Sequence, residues 1–124
     1  MRILLAHNQR QTRSALRRIL EQDSEFNVVG EASEVEGLLA QTQIAHPDLV
    51  LLHWELPGSQ GTDVLPALHC LSHHPRVLAF SEHRGARQEA IAAGVDAFVS
   101  KNEPVERLLN TVRVIGGLSP YYLG

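Results

Sequence analysis

Short apolar runs alternate with longer stretches of helical period along the whole chain. Ile3–Ala6 reads as a buried strand. The segment that follows, from Gln11 to Gln22, sets Ala15, Leu16, Ile19 and Leu20 on one helical face. The run from Phe26 to Ala32 predicts a second strand. Ser33 and Glu36 then have the spacing of a capping box, in which each side chain satisfies a free backbone N–H at a helix start. The helix so begun is expected to reach about Ala45 with Val35, Leu38 and Leu39 inward, and His46-Pro47 stops it. Leu49 to His53 is the most continuous apolar run, the mark of a strand covered on both faces. Leu56-Pro57-Gly58 and Gly61 mark a loop. From Thr62 to Leu71 the spacing of Val64, Leu65, Leu68 and Leu71 predicts a helix, with Pro66 near its first turn. A strand from Arg76 to Ser81, an alanine-rich helix from Arg84 to Ala93 closed by Gly94, and a strand from Asp96 to Ser100 follow. A last helix is expected from Pro104 to Ile115, with Val105, Leu108, Leu109, Val112 and Ile115 on one side.

These are five β–α units in order. Strict alternation of this kind argues for an α/β fold, a doubly wound five-stranded parallel sheet with helices on both faces. The flavodoxin-like strand order 2-1-3-4-5 is the natural arrangement for five strands, and ligands in such sheets bind at the carboxyl ends of the strands. The residues to interrogate are therefore His7 and Asn8, His53, Ser81 and Lys101, each at or just past the end of an expected strand.

Composition narrows the function. A chain of 124 residues suits one domain with a true core. A net charge of −3 offers no basic footprint, so no direct contact with nucleic acid is expected of this domain. No stretch approaches the roughly 18 apolar residues of a spanning helix, and Met1-Arg2 leads straight into a strand instead of a signal segment. No membrane association is expected. Cys70 is the only cysteine, which excludes an internal disulfide and fits a reducing cytoplasm. Of the 11 lysines and arginines, only Lys101 is a lysine.

The stretches RILLAHN, FNVVGEAS, HPDLVLLHWELPGSQG, RVLAFS and AAGVDAFVSK, taken together, resemble the receiver domain of bacterial response regulators in two-component phosphorelay signalling. The resemblance runs from Arg2 to about Ile115. It is closest to receivers that precede a helix-turn-helix output domain in nitrate-type regulators. It implies that two adjacent acidic residues after the first strand hold magnesium; here those positions are His7 and Asn8. It places the phosphoacceptor aspartate at His53. Ser81 matches the hydroxyl that bonds the phosphoryl group, Lys101 the lysine that pairs with its oxygens, and Phe98 the switch aromatic. The implied protein is a degenerate receiver, or pseudo-receiver. The neutral and cationic half of its pocket is kept and the carboxylate half is lost. No cofactor is expected, because magnesium binds through carboxylate and water oxygens. Glu55 is the one nearby acid able to enter the pocket, and Glu82 reads as a solvated surface residue. Trp54 either covers the pocket or anchors a partner.

The resemblance also implies a contact surface on the fourth helix, fifth strand and fifth helix. There Arg84, Arg87, Asp96, Glu103, Glu106, Arg107 and Arg113 offer mixed charge for a protein partner or a homodimer. Residues 1–116 form the expected domain, and residues 117–124 a tail or the start of a linker to an output domain. The peptide bond after Lys101 is expected to be trans, since a cis bond before a residue other than proline costs roughly 2.5–4 kcal/mol.

Other readings start from the same residues. Two imidazoles and a carboxylate, His7, His53 and Glu55, suit zinc or nickel, and His7 with His53 suits a pH sensor. An enzyme on this fold is a third class, and Ser81, His53 and Asp48 supply triad residue types. Asp48 lies at the opposite end of its strand from His53, which separates them by roughly 15 Å, so no enzyme is expected. A flavin-binding protein is expected to carry a phosphate-cradling loop after the first strand, and His7-Asn8-Gln9-Arg10-Gln11 is not one.

Overall fold

The computed structural model describes residues 1–58 and 61–121. Five strands alternate with five helices: β1 (Arg2–Ala6), α1 (Arg10–Leu20), β2 (Asn27–Ala32), α2 (Val35–Ala45), β3 (Leu49–His53), α3 (Gly61–His69), β4 (Arg76–Ser81), α4 (Ala86–Ala93), β5 (Ala97–Ser100) and α5 (Val105–Ile115). The strands pair in parallel in the order β2-β1-β3-β4-β5. This is the flavodoxin-like, doubly wound arrangement that the alternation predicts.

Strand pleating splits the core into two layers, because successive side chains point to opposite faces. Leu4, Val50, Leu52, Val77 and Ala79 pack with Leu38 of α2, Leu65 and Leu68 of α3, and Ala86 and Ala90 of α4. Ile3, Leu5, Leu49, Leu51, Leu78 and Phe80 pack with Leu20 of α1 and Leu108 and Val112 of α5. The central strand β3 is buried on both faces from Leu49 to Leu52. Its carboxyl end is thereby fixed from both sides, and His53 is held where it emerges.

Several local expectations are corrected. The capping box at Ser33 and Glu36 does not form. Glu34 occupies the N-cap without a side-chain bond, and the Val35 N–H donates instead to the Pro57 carbonyl at 2.9 Å. A tertiary acceptor thus satisfies one of the free N–H groups at the helix start, where the spacing predicts a local cap. Pro66 lies well inside α3, beyond its first turn, and the helix closes at His69, two residues before Leu71. Ala15 and Val105 are exposed, not inward. His46 ends α2 in the left-handed region, with φ of 49°. The segment between Gly58 and Gly61, where a loop is expected, lies outside the described residues.

Through Tyr121 the tail is docked. Leu118 N–H donates to the Arg113 carbonyl at 2.8 Å, Tyr121 N–H to Asn110 Oδ1 at 2.8 Å, and the Tyr121 hydroxyl to Asp23. Arg113 pairs with the same Asp23 carboxylate at 2.6 Å. Residues 122–124 of the expected tail lie outside the described residues. There is no cis peptide bond among the described residues, so Lys101-Asn102 is trans.

Candidate functional site

Parallel pairing brings the carboxyl ends of β1, β3, β4 and β5 to one edge, and with them His7, His53, Ser81 and Lys101. His7 follows β1 and is almost wholly buried, at 1% exposure. Its ring stacks on that of His53, with centroids 4.1 Å apart and an interplanar angle of 25°. The Lys101 amine reaches across both, with Nζ 3.0 Å from His7 Nε2 and 3.1 Å from His53 Nδ1. Beneath them the Phe80 ring lies 5.1 Å from Nζ. The other ring nitrogen of His7, Nδ1, accepts the Gln9 N–H at 2.9 Å.

Glu55 does enter the pocket. The Ser81 hydroxyl lies 2.9 and 2.8 Å from its two carboxylate oxygens and donates its single proton to them. Ser81 Oγ in turn accepts the His83 N–H at 3.0 Å, which ties down the start of the loop after β4. His53 Nε2 approaches Glu55 Oε1 at 3.8 Å. Ser81 is therefore a buried link between two loops as well as a turn former.

Asn8 is exposed and stands outside the cluster. Phe98 also lies apart: its ring packs with the α2–α3–α4 core layer and sits 5.0 Å from the Arg87 guanidinium. Trp54 is buried in that same layer, 6% exposed, so it is core and not an exposed anchor. Glu82 is exposed, as expected. Residue patterns alone do not single out two contributors. Arg13 donates to the His7 carbonyl at 2.7 Å and pairs with Glu31 at 2.9 Å. Phe80 floors the pocket. Its place at the carboxyl end of an alternating strand is the one signal that points there.

The electrostatics follow from burial and crowding of bases. Burial first, then the competing positive charge of His53, Lys101 and Arg13, holds the pKa of His7 at about 4. Burial, Lys101 and His83 hold that of His53 at about 4. Burial also lowers the pKa of Lys101, and Glu82 and Glu55 oppose the change. A desolvated base resists taking a proton, and a neighbouring base resists it further. At neutral pH both imidazoles are uncharged.

This donor set does not fit magnesium. That ion demands near-octahedral oxygen ligation, and the edge presents two imidazoles, an amine and one carboxylate already bonded to Ser81. The transition-metal arrangement of His7, His53 and Glu55 does not form either. The two rings stack face to face, and both nitrogens of His7 are engaged. Among the described residues no group of three His, Cys, Asp or Glu has the geometry to hold a metal ion. Asp48 lies at the start of β3, where it accepts the Arg2 N–H at 2.8 Å, far from Ser81 and His53.

A family model described as the response regulator receiver domain matches residues 3–113. The nitrate/nitrite response regulator NarL of Escherichia coli K12 is 30% identical over 112 residues, covering 89% of this chain and 52% of its own length. The transcriptional activator ExaE of Pseudomonas putida is 34% identical over 115 residues, covering 91% of this chain and 54% of its own. A crystal structure of a LuxR-family two-component response regulator from Aurantimonas sp. SI85-9A1 superposes with a TM-score of 0.82 at 26% identity, covering 95% of this chain and 86% of that one. The chain spans about half the length of the curated relatives it matches.

Proposed function

The chain belongs to the response regulator receiver family, and from that premise we propose that it is an atypical receiver. It acts through protein contacts, without aspartyl phosphorylation and without magnesium. The observation that carries this reading is the bridge from Lys101 to His7 and His53. Where a receiver needs a carboxylate acceptor and carboxylate metal ligands, this pocket closes on itself through imidazoles. Glu55 already takes the Ser81 hydroxyl that would bond a phosphoryl oxygen. Incubation with acetyl phosphate and magnesium is expected to leave the intact mass unchanged. A hydroxylamine-sensitive phosphoryl adduct would overturn the reading, and so would an acid-labile adduct on His53.

The contact surface proposed for signalling is the face of α4, β5 and α5, engaged with a second copy of the chain. With no acyl phosphate to switch it, the contact is constitutive. Both helices pack on β5, and each exposes a large aliphatic side chain, Ile91 at 58% and Val105 at 40%. Around them Arg87 and Arg107 flank Glu103 at 3.1 and 3.2 Å, the mixed charge that an isologous contact uses. Arg84, Asp96 and Glu106 extend it. Arg113 is excluded, being held by Asp23 instead. Light scattering at high micromolar concentration is expected to give a dimer that Ile91→Lys dissociates. A monomer, or a dimer indifferent to that change, would defeat the proposal.

We assign residues 1–116 to the receiver unit and 117–124 to a tail or the start of a linker. We place the domain in the cytoplasm, a reading supported by its family. No helix among the described residues is long and apolar enough to cross a membrane.

A further inference from the structure

We propose that His46 and His73 together bind a zinc ion at the amino end of the sheet, the edge opposite the Lys101 pocket. The inference goes beyond the signalling reading and does not depend on it.

Parallel register brings the two side chains together. Leu49 of β3 pairs with Arg76 of β4, and His46 and His73 each stand three residues before those partners. The loops that enter the two strands therefore run side by side, joined where the Arg76 N–H donates to the Asp48 carbonyl at 3.0 Å. The His46 and His73 rings meet with centroids 4.8 Å apart and an interplanar angle of 76°. Both residues are exposed, so their ring lone pairs are open to an ion. His46 is held on a fixed element. It caps α2, its N–H donates to the Thr42 carbonyl at 3.1 Å, and its own carbonyl accepts from Arg2 Nε at 3.4 Å. A left-handed cap is ordinarily glycine or asparagine, and here that position carries an imidazole, at φ of 49°.

The separation fits one shared ion. With zinc–nitrogen bonds of roughly 2.0–2.1 Å each ring centroid stands about 3.2 Å from the metal, and two imidazoles at a square or tetrahedral corner then have centroids about 4.5–5.2 Å apart. His46 and His73 fall inside that range. His69 and His74, also exposed and at the same edge, lie 6.0 Å apart and fall outside it. Imidazole nitrogen suits zinc, copper and nickel, whereas magnesium takes oxygen. Among the described residues no third His, Cys, Asp or Glu has the geometry to join the pair, so water fills the remaining positions. The cleft of about 510 Å³ between the end of α2 and the loop after α3 leaves room for it. Arg2 and Arg76 weigh against a cation, but each guanidinium is turned to a backbone carbonyl, Arg2 to Ala45 and Arg76 to Ile115. Glu25 and Asp48, in the adjoining groove, weigh for it. Bound there, the ion ties the end of α2 to the loop before β4.

The test uses the whole untagged chain, freed of metal with a chelator, with Cys70→Ser as the parent so that the exposed thiol takes no zinc. Titration calorimetry with zinc chloride is expected to show one ion per chain. His46→Asn, which tolerates the left-handed cap, and His73→Gln should each weaken binding by roughly tenfold or more, since even an outer partner of a metal ligand is worth about 10–100-fold in affinity. The double change His69→Gln and His74→Gln should leave it unchanged. Saturating zinc should raise the melting temperature of the parent, because an ion that binds only the folded state stabilises it, and should not raise that of His73→Gln. Circular dichroism shows that each variant is folded. Absence of zinc uptake by the parent would overturn the proposal. So would binding that survives His46→Asn and His73→Gln, or binding lost in a folded His53→Gln variant, which would move the ion to the pocket at the other edge.

Discussion

Acidification from pH 7 to about pH 4.5 is expected to remove a large part of the folding stability, well before the carboxylates protonate. His7 and His53 titrate at about 6.5 when unfolded and at about 4 when folded. Between those values the unfolded chain binds protons that the folded chain refuses, so stability falls as pH falls. Above pH 6.5 both states are neutral at these groups and nothing is lost. A tenfold difference in proton affinity between the folded and unfolded states is worth about 1.4 kcal/mol, and the two buried rings together amount to a few kcal/mol. A domain of this size has about 5–15 kcal/mol in all. The lowered pKa of Lys101 extends the same slope into the alkaline range. Urea unfolding at pH 7, 6, 5 and 4.5 measures the effect. A stability that is flat across that window would show that the imidazoles are not sealed as described. The double change His7→Gln and His53→Gln should flatten the slope whatever it does to the absolute stability.

The order of elements is legible in the sequence because each rests on a pattern that tertiary contacts reinforce. The apolar run at Leu49–Leu52 reads as a strand and is buried on both faces. The same pattern sets His7, His53, Ser81 and Lys101 at one edge, although it also nominates Asn8, which stands outside, and passes over Arg13 and Phe80. The contacts within the site cannot be read from it. Sequence leaves open whether Lys101 reaches strand-end carbonyls, Glu55 or the histidines, since a lysine stem spans all three. The structure chooses the histidines because Glu55 turns to Ser81.

The misreadings share one cause, a local signal overridden by a partner distant in sequence. Ser33 has the spacing of a cap, but Pro57 supplies the acceptor that the helix start needs. The receiver resemblance groups Arg113 with the charged contact face. Its pairing with an acid 90 positions earlier is a tertiary fact that the resemblance does not encode.

Magnesium is expected to leave the melting temperature of the natural sequence unchanged at fixed ionic strength, and to raise that of a triple variant with His7→Asp, Asn8→Asp and His53→Asp. A ligand that binds only the folded state stabilises it by RT ln(1 + [L]/Kd), about 1.4 kcal/mol at tenfold over Kd. For a domain of this length that corresponds to a rise of roughly 5 °C. The natural pocket lacks the ligands: His7 and His53 offer nitrogen already bonded to Lys101, and Glu55 is committed to Ser81. His53→Asp alone is expected to gain no response, because one new carboxylate pairs with Lys101 and the edge after β1 still has no acid. The triple change supplies carboxylates at His7 and His53 within the pocket and a third at the exposed position 8 beside it. Their repulsion lowers the metal-free stability, and the metal relieves it, so the magnesium-dependent rise should exceed what a preformed neutral site would give. Millimolar magnesium in thermal melts of the three proteins decides the matter. A clear rise in the natural sequence would mean that Glu55 leaves Ser81 to rebuild a metal site with Glu82 or water, and the proposed function without magnesium would fall.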